Sequence, residues 1–151
     1  QGLAFGIDLP VLPIVTLAAM AHACYEAYGA KEVLSVLDAR MGEVYWAQYR
    51  YVIDTWQVIV EPTLTSPTLV MPLSSVLACG NGLSAYSELF GGAAFTIDAK
   101  PVLMPHAHQI AQLGLRAFQQ GLGMPATEAK PLYLRNKVAF TKAERAAKVT
   151  T

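Results

Sequence analysis

The chain has 151 residues, of which 54% are hydrophobic and 15% charged; that is one domain's worth of sequence, and it excludes a disordered chain. Its 11 basic and 11 acidic side chains cancel, which excludes a uniformly basic nucleic-acid-binding domain. The charged fraction lies below the roughly 25% of ordinary soluble domains, so part of the folded surface is expected to be covered by another domain or a partner.

Gln1–Ile7 reads as the last turns of a helix without an N-cap residue before it, and the chain is expected to be a fragment. Pro10 and Pro13 impose an extended segment over Leu9–Val15. With Asp8 they also break the apolar start, so no 18-residue apolar run survives. No basic region precedes it, and a soluble, cytoplasmic protein without membrane contact is expected. Thr16 is placed to cap an alanine-rich helix, Leu17–Tyr28, which Gly29 ends. Glu32–Leu37 reads as a buried strand. After the turn Asp38–Gly42, residues Glu43–Tyr51 alternate, with Val44, Trp46 and Gln48 on one face and Tyr45, Ala47 and Tyr49 on the other. Trp56–Val60 completes an antiparallel meander.

Residues 61–71, rich in proline, serine and threonine, read as a loop, and Pro72–Leu77 as a short helix. Ala78–Gly82 is a small-residue junction. A helix follows over Ser84–Leu89, stopped by Gly91-Gly92, and then a short strand, Phe95–Ile97. Pro105–Gln120 is a second long helix with Ile110, Leu113, Leu115, Ala117 and Phe118 apolar, closed by Gly121. Leu122–Thr151 is a tail. Residues 130–151 carry six basic side chains against Glu144, and residues 1–129 carry ten acids against five bases. The tail is therefore +5 and the body −5. A solvated terminus is the plain reading of that tail, and contact with nucleic acid the sharper one. Helices and strands in this order predict an α/β fold, a mixed sheet with flanking helices.

Few residues point to chemistry. His106 and His108 stand two apart at a helix start, where side chains diverge by about 200° and do not share a metal. His22, on an apolar helix face, reads as a core or interface residue. Cys24 and Cys79 lack metal-ligand spacing and an activating neighbour, and no G-x-S-x-G occurs. Ser74, Ser75 and Ser84 read as helix caps. Two glycine-bearing junctions remain. Asp38–Gly42 could cradle an oxyanion on its backbone N–H groups, but only Gly42 is glycine; Arg40 offers its guanidinium instead. Gly80-Asn81-Gly82, ahead of a helix, reads either as a phosphate or adenosine site or as a tight turn.

Three segments carry a resemblance. Gln1-Gly2-Leu3-Ala4-Phe5-Gly6, Asp38-Ala39-Arg40-Met41-Gly42-Glu43-Val44-Tyr45-Trp46-Ala47 and Pro131-Leu132-Tyr133-Leu134-Arg135-Asn136-Lys137-Val138-Ala139 resemble, in this order, motifs of the TsaB (YeaZ) family of bacterial tRNA threonylcarbamoyladenosine biosynthesis proteins. The resemblance implies the actin-like ATPase (ASKHA) fold of two ribonuclease-H-like lobes. Residues 1–9 would then end a lobe-crossing helix from a preceding lobe, 10–121 would form the C-terminal lobe, and 122–151 the basic tail. Family members are regarded as inactive paralogues of the catalytic subunit TsaD. They are expected to bind TsaD, with the ATPase TsaE, in threonylcarbamoylation of adenosine 37 of tRNA, and to form homodimers.

In this light Asp38, Arg40, Gly42, Gly80 and Gly82 occupy degenerate positions of a nucleotide site. No catalytic residue, cofactor or metal is expected, and tRNA contact is expected to be indirect. The alternative is a nucleotide-binding or hydrolysing actin-like ATPase. Leu3, Phe5 and Ile7 cannot all face one way on a helix, so at least one is expected at a partner interface. Arg40, Tyr133 and Arg135 are further candidates for partner contact, with Leu134 beside them. Apolar surface left open by a missing lobe would also drive self-association.

Overall fold

The described part of the computed structural model is residues 1–135. The central strand, β1 (Glu32–Asp38), is an aliphatic run because both of its faces are covered. It pairs antiparallel with β2 (Val44–Val52), which pairs antiparallel with β3 (Thr55–Thr65). A three-residue strand, β4 (Leu77–Cys79), lies parallel to β1, giving the order β3-β2-β1-β4. The mixed sheet with flanking helices is the α/β class expected from the sequence.

Helices cover one face. α1 (Gly2–Gly6) is short, and α2 (Thr16–Tyr28) packs Leu17, Met20, Ala21 and Cys24 onto Val33, Ala47, Tyr49 and Cys79 of the sheet. α4 (Ala107–Gln119) joins α2 through Glu26, whose carboxylate accepts hydrogen bonds from the side-chain amides of Gln109 (2.6 Å) and Gln112 (2.8 Å). On the other face Leu34, Val36, Val44 and Trp46 meet Val70, Leu83 and Phe90, next to the four-residue helix α3 (Gly82–Ala85). Each large apolar side chain so buried contributes about 1.5–3 kcal/mol by leaving water. The face assignment along β2 is as the alternation indicates: Gln48 sits with Val44 and Trp46, and uses its buried amide on the Leu73 N–H and the Ser74 hydroxyl, both 2.7 Å.

Several expectations need correction. Thr16 does not cap α2 with its side chain; Val15 holds the cap position and Thr16 is the first helical residue. β3 continues through Pro62 to Thr65, where a loop is expected, because β3 is an edge strand whose register shifts absorb a proline without a ladder N–H. Pro72–Leu77 is not helical; Gln48 draws this segment onto the sheet. Phe95–Ile97 is not a strand, since Ala94–Thr96 forms a 3-10 turn, and the strand in this region is β4, within the small-residue junction. The helix expected over Ser84–Leu89 is α3, starting at Gly82 and followed by turns.

The segment after α4 returns to the start of the chain. Val11 and Met124 exchange backbone hydrogen bonds of 2.9 and 3.0 Å, and Ala126 and Ala129 are buried. The basic residues Lys137, Lys142, Arg145 and Lys148, and the last residues of the third motif, Asn136–Ala139, lie outside the described residues.

Candidate functional site

The two glycine-bearing junctions of the sequence meet at the C-terminal end of β1. The β1–β2 hairpin turns through three successive left-handed residues, Arg40 (φ 64°), Met41 (φ 61°) and Gly42 (φ 80°). Two of them carry side chains, a conformation that costs on the order of 1–3 kcal/mol each and persists only where its surroundings enforce it. Asp38 supplies the first restraint: its Oδ1 accepts the Arg40 N–H at 2.7 Å and the Tyr86 hydroxyl at 2.8 Å. Burial raises the Tyr86 phenol above its ordinary range, and donation to the Asp38 carboxylate adds to this; the Gly42 N–H and the Arg40 charge act against it.

The tail supplies the second restraint. Arg135 Nη1 lies 2.6 Å from Glu43 Oε2, and its Nη2 donates to the Ala39 carbonyl at 3.0 Å. Only 14% of the Arg135 side chain is exposed. Two of the motifs that carry the resemblance are therefore in direct contact, although they are far apart in sequence. A guanidinium donating to both a carboxylate and a backbone carbonyl is a charge-assisted clamp, stronger than a neutral pair.

Gly80-Asn81-Gly82 forms the third side. Asn81 Oδ1 accepts the Asp38 N–H at 3.1 Å. Gly80 has φ +108°, and a Cβ there would stand 2.2 Å from the Val36 carbonyl oxygen. A Cβ on Gly82 would meet Val36 Cγ1 at 2.8 Å. These glycines serve close approach of the turn to β1. The structure thus brings together Asp38, Arg40, Gly42, Gly80, Gly82 and Arg135. It adds Glu43, Asn81 and Tyr86, which sequence reasoning does not single out. Glu43 and Asn81 lie within noted motifs, whereas nothing in the sequence signals that Tyr86 reaches Asp38.

The other candidates lie elsewhere on the chain. Leu3, Phe5 and Ile7 are 90%, 70% and 65% exposed, and α1 buries none of its residues. None of the three is therefore a core residue of the described part. The side-chain amide of Gln1 donates to the Ala129 carbonyl, and Val11 pairs with Met124, so segments 1–13 and 122–131 hold each other. Tyr133 is exposed and Leu134 half-buried.

No metal centre emerges among the described residues. His106 precedes α4, and His108 lies 3.9 Å from Glu26 instead of joining His106. His22 is buried, as expected, and its Nδ1 accepts the Trp56 indole N–H at 3.4 Å. Burial holds its pKa below the usual histidine value. Cys24 and Cys79 are buried free thiols. No helix among the described residues is long and apolar enough to cross a membrane.

Comparison with known proteins agrees with the motif reading. The family model of TsaD, tRNA N6-adenosine threonylcarbamoyltransferase, matches residues 1–143. The chain is 32% identical over 148 residues to the tRNA threonylcarbamoyladenosine biosynthesis protein TsaB of Escherichia coli (strain K12). It is 33% identical over 153 residues to the Haemophilus influenzae protein of the same name. Each alignment covers 94% of this chain and 64% of the relative, so the chain spans just under two-thirds of their length. Among solved structures, YeaZ from Pseudomonas aeruginosa superposes with a TM-score of 0.81 at 31% identity, covering 89% of this chain and 64% of that one. The fold is that of the actin-like ATPase superfamily.

Proposed function

The chain belongs to the TsaD family, and from that premise we propose that it serves as a non-catalytic partner subunit in threonylcarbamoylation of adenosine 37 of tRNA, binding the catalytic subunit TsaD, with the ATPase TsaE. In this reading residues 10–121 form the C-terminal ribonuclease-H-like lobe. The tRNA is engaged through the partners.

One observation carries the reading. The hairpin end of the sheet, where an actin-like ATPase would hold phosphate, is filled by the chain's own groups. Asp38 takes the Arg40 N–H and the Tyr86 hydroxyl, and Arg135 occupies Glu43 and the Ala39 carbonyl. A phosphate brought there would face the Asp38 and Glu43 carboxylates, with the Arg135 guanidinium already paired and only the exposed Arg40 side chain, itself beside Asp38, left to meet it. Such a site disfavours nucleotide. The polar chemistry is turned inward, while α1 and its C-cap leave Leu3, Phe5 and Ile7 exposed. Exposed apolar side chains on a helix are suited to a partner.

The test is a reconstituted transfer assay with TsaD, TsaE, tRNA and a threonylcarbamoyl donor. Adding the chain raises modification of adenosine 37, and adding the Phe5→Asp variant does not. Equal modification with and without the chain contradicts the proposal. Tight Mg-ATP binding by the isolated chain favours a nucleotide-binding protein instead.

A further inference from the structure

The β2–β3 hairpin turns through two residues, Ile53 (φ 44°) and Asp54 (φ 60°), both left-handed. A two-residue hairpin calls for that conformation, but asparagine, aspartate or glycine supplies it most readily. Isoleucine, branched at Cβ, is a genuine outlier there. The fold gains nothing from it in return, because Ile53 is 93% exposed. The turn is nevertheless braced from α4: Arg116 Nη1 donates to the Asp54 carbonyl and to the Tyr51 hydroxyl, each at 3.1 Å. A strained apolar side chain, exposed on a braced turn, points to a role outside the fold.

A cavity of about 300 Å³ opens beside this turn, between α2, α4 and the β3 edge. Asp54, Thr55 and Trp56, the three residues after Ile53, line it. The rest of its wall is largely apolar, with Ala18 of α2, Val58 of β3, and Leu113 and Ala117 of α4. An apolar knob and an apolar hole thus lie next to each other on one surface. Being exposed, Ile53 does not fill the hole of its own chain.

The rim of the cavity is self-complementary in charge as well. The Arg116 guanidinium meets only neutral acceptors, the Tyr51 hydroxyl and the Asp54 carbonyl. Glu61, also on the rim, is exposed and has no ion-pair or hydrogen-bond partner among the described residues. Asp54 is turned to its own chain, where its Oδ1 accepts the Tyr51 hydroxyl at 3.3 Å. One surface therefore offers a cation and an anion that do not pair with each other.

We propose that this face is an interface between two copies of the chain related by a two-fold axis. Ile53 of one copy enters the cavity of the other, and the exchange is reciprocal, as a two-fold contact requires. Glu61 of each copy meets Arg116 of the other. The strain at Ile53 is retained because asparagine in its place would leave the hole empty. The interface is independent of the TsaD-binding role, because it uses neither α1 nor the β1–β2 turn.

Sedimentation equilibrium of the 151-residue chain at rising concentration is the test. The parent should pass from the mass of one chain to that of two. Ile53→Asn should raise the urea midpoint by relieving the turn, and yet weaken the dimer by about tenfold or more. Ala117→Phe fills the hole and should weaken it as much. The first variant keeps holes without knobs and the second knobs without holes, so a mixed pair regains one knob in one hole. The mixture should therefore form more dimer than either variant by itself. Glu61→Lys, set against Arg116 of the other copy, should weaken the dimer by about tenfold, and Phe5→Asp should leave it unchanged. A parent chain that stays monomeric overturns the proposal. So does a dimer that Ile53→Asn leaves intact, a dimer lost in Phe5→Asp, or a mixture of the two folded variants no more dimeric than its components. Ile53→Asn decides by itself if Ala117→Phe fails to fold.

Discussion

The hairpin end of β1 and helix α1 are opposites in how they use their side chains. At the hairpin, Asp38, Tyr86, Asn81, Glu43 and Arg135 are paired with one another or with backbone, and two glycines allow the turn to close onto the strand. On α1 no residue is buried, and Leu3 and Phe5, with Ile7 at its C-cap, stand in solvent. Both regions carry motifs of the same family, so a motif by itself does not tell structure from recognition. The difference lies in saturation: a region whose groups satisfy each other stabilises the fold, and a region that leaves apolar surface open has affinity to spare for a partner.

The largest effect is expected at the turn. Gly80→Ala places a Cβ against the Val36 carbonyl at a positive φ, and should destabilise the chain by about 3 kcal/mol or more in urea unfolding, from overpacking plus backbone strain. A loss under about 1 kcal/mol would mean that the turn is loosely held, and the contrast with α1 would fail.

Next comes α1. Phe5→Asp should weaken association with TsaD by about tenfold or more, as for a residue central to an interface, while the urea midpoint stays within about 0.5 kcal/mol of the parent. Lost stability without lost binding would move Phe5 into the structural class and erase the distinction.

Arg135→Ala sharpens the comparison from the tail side. It removes the Glu43 pair and the Ala39 contact, and should cost about 1–2 kcal/mol. Tyr86→Phe should cost about 1 kcal/mol by removing one donor from Asp38. Neither substitution should create Mg-ATP binding, since neither adds a donor to phosphate and Arg135→Ala removes one. Calorimetric titration of each variant checks this.

The smallest effect is pH dependence on the α2 face. His22 has its folded pKa lowered by burial, with Glu26 opposing and Arg116 and His108 reinforcing the shift. The unfolded chain therefore binds the proton more readily than the folded one. The stability this gives is present above the ordinary histidine value of 6.5 and is lost as pH falls below it toward the folded pKa. Glu26 acts in the same direction lower down. Its folded pKa is lowered chiefly by the Gln109 hydrogen bond, so its contribution is present above 4.5 and lost as pH falls through the folded value. Urea midpoints at pH 7.5 and 5.5 should differ in the parent and converge in His22→Gln. An unchanged difference in that variant would assign the pH dependence to other groups.

The sequence made the covered elements legible and the paired ones much less so. β1 is readable because a strand buried on both faces must be aliphatic throughout, and α2 because an alanine-rich helix runs up to a left-handed glycine, Gly29. The extension of β3 past Pro62 and the brief β4 are not readable. The first depends on being an edge, and the second on parallel pairing with a strand more than 40 residues away. At the candidate site, Asp38, Gly80 and Gly82 stand out by residue type and Arg135 by motif. Tyr86 does not, because what makes it matter is a hydroxyl contact with Asp38, 48 positions apart in sequence.

The most direct test of the partner role is light scattering on a size-exclusion column, with the 151-residue chain and TsaD run separately, then mixed, then mixed with Phe5→Asp. The account predicts that the parent chain shifts TsaD to the mass of a complex and that the variant leaves TsaD at its own mass. Parent and TsaD eluting separately, or Phe5→Asp forming the complex as well as the parent does, would contradict it.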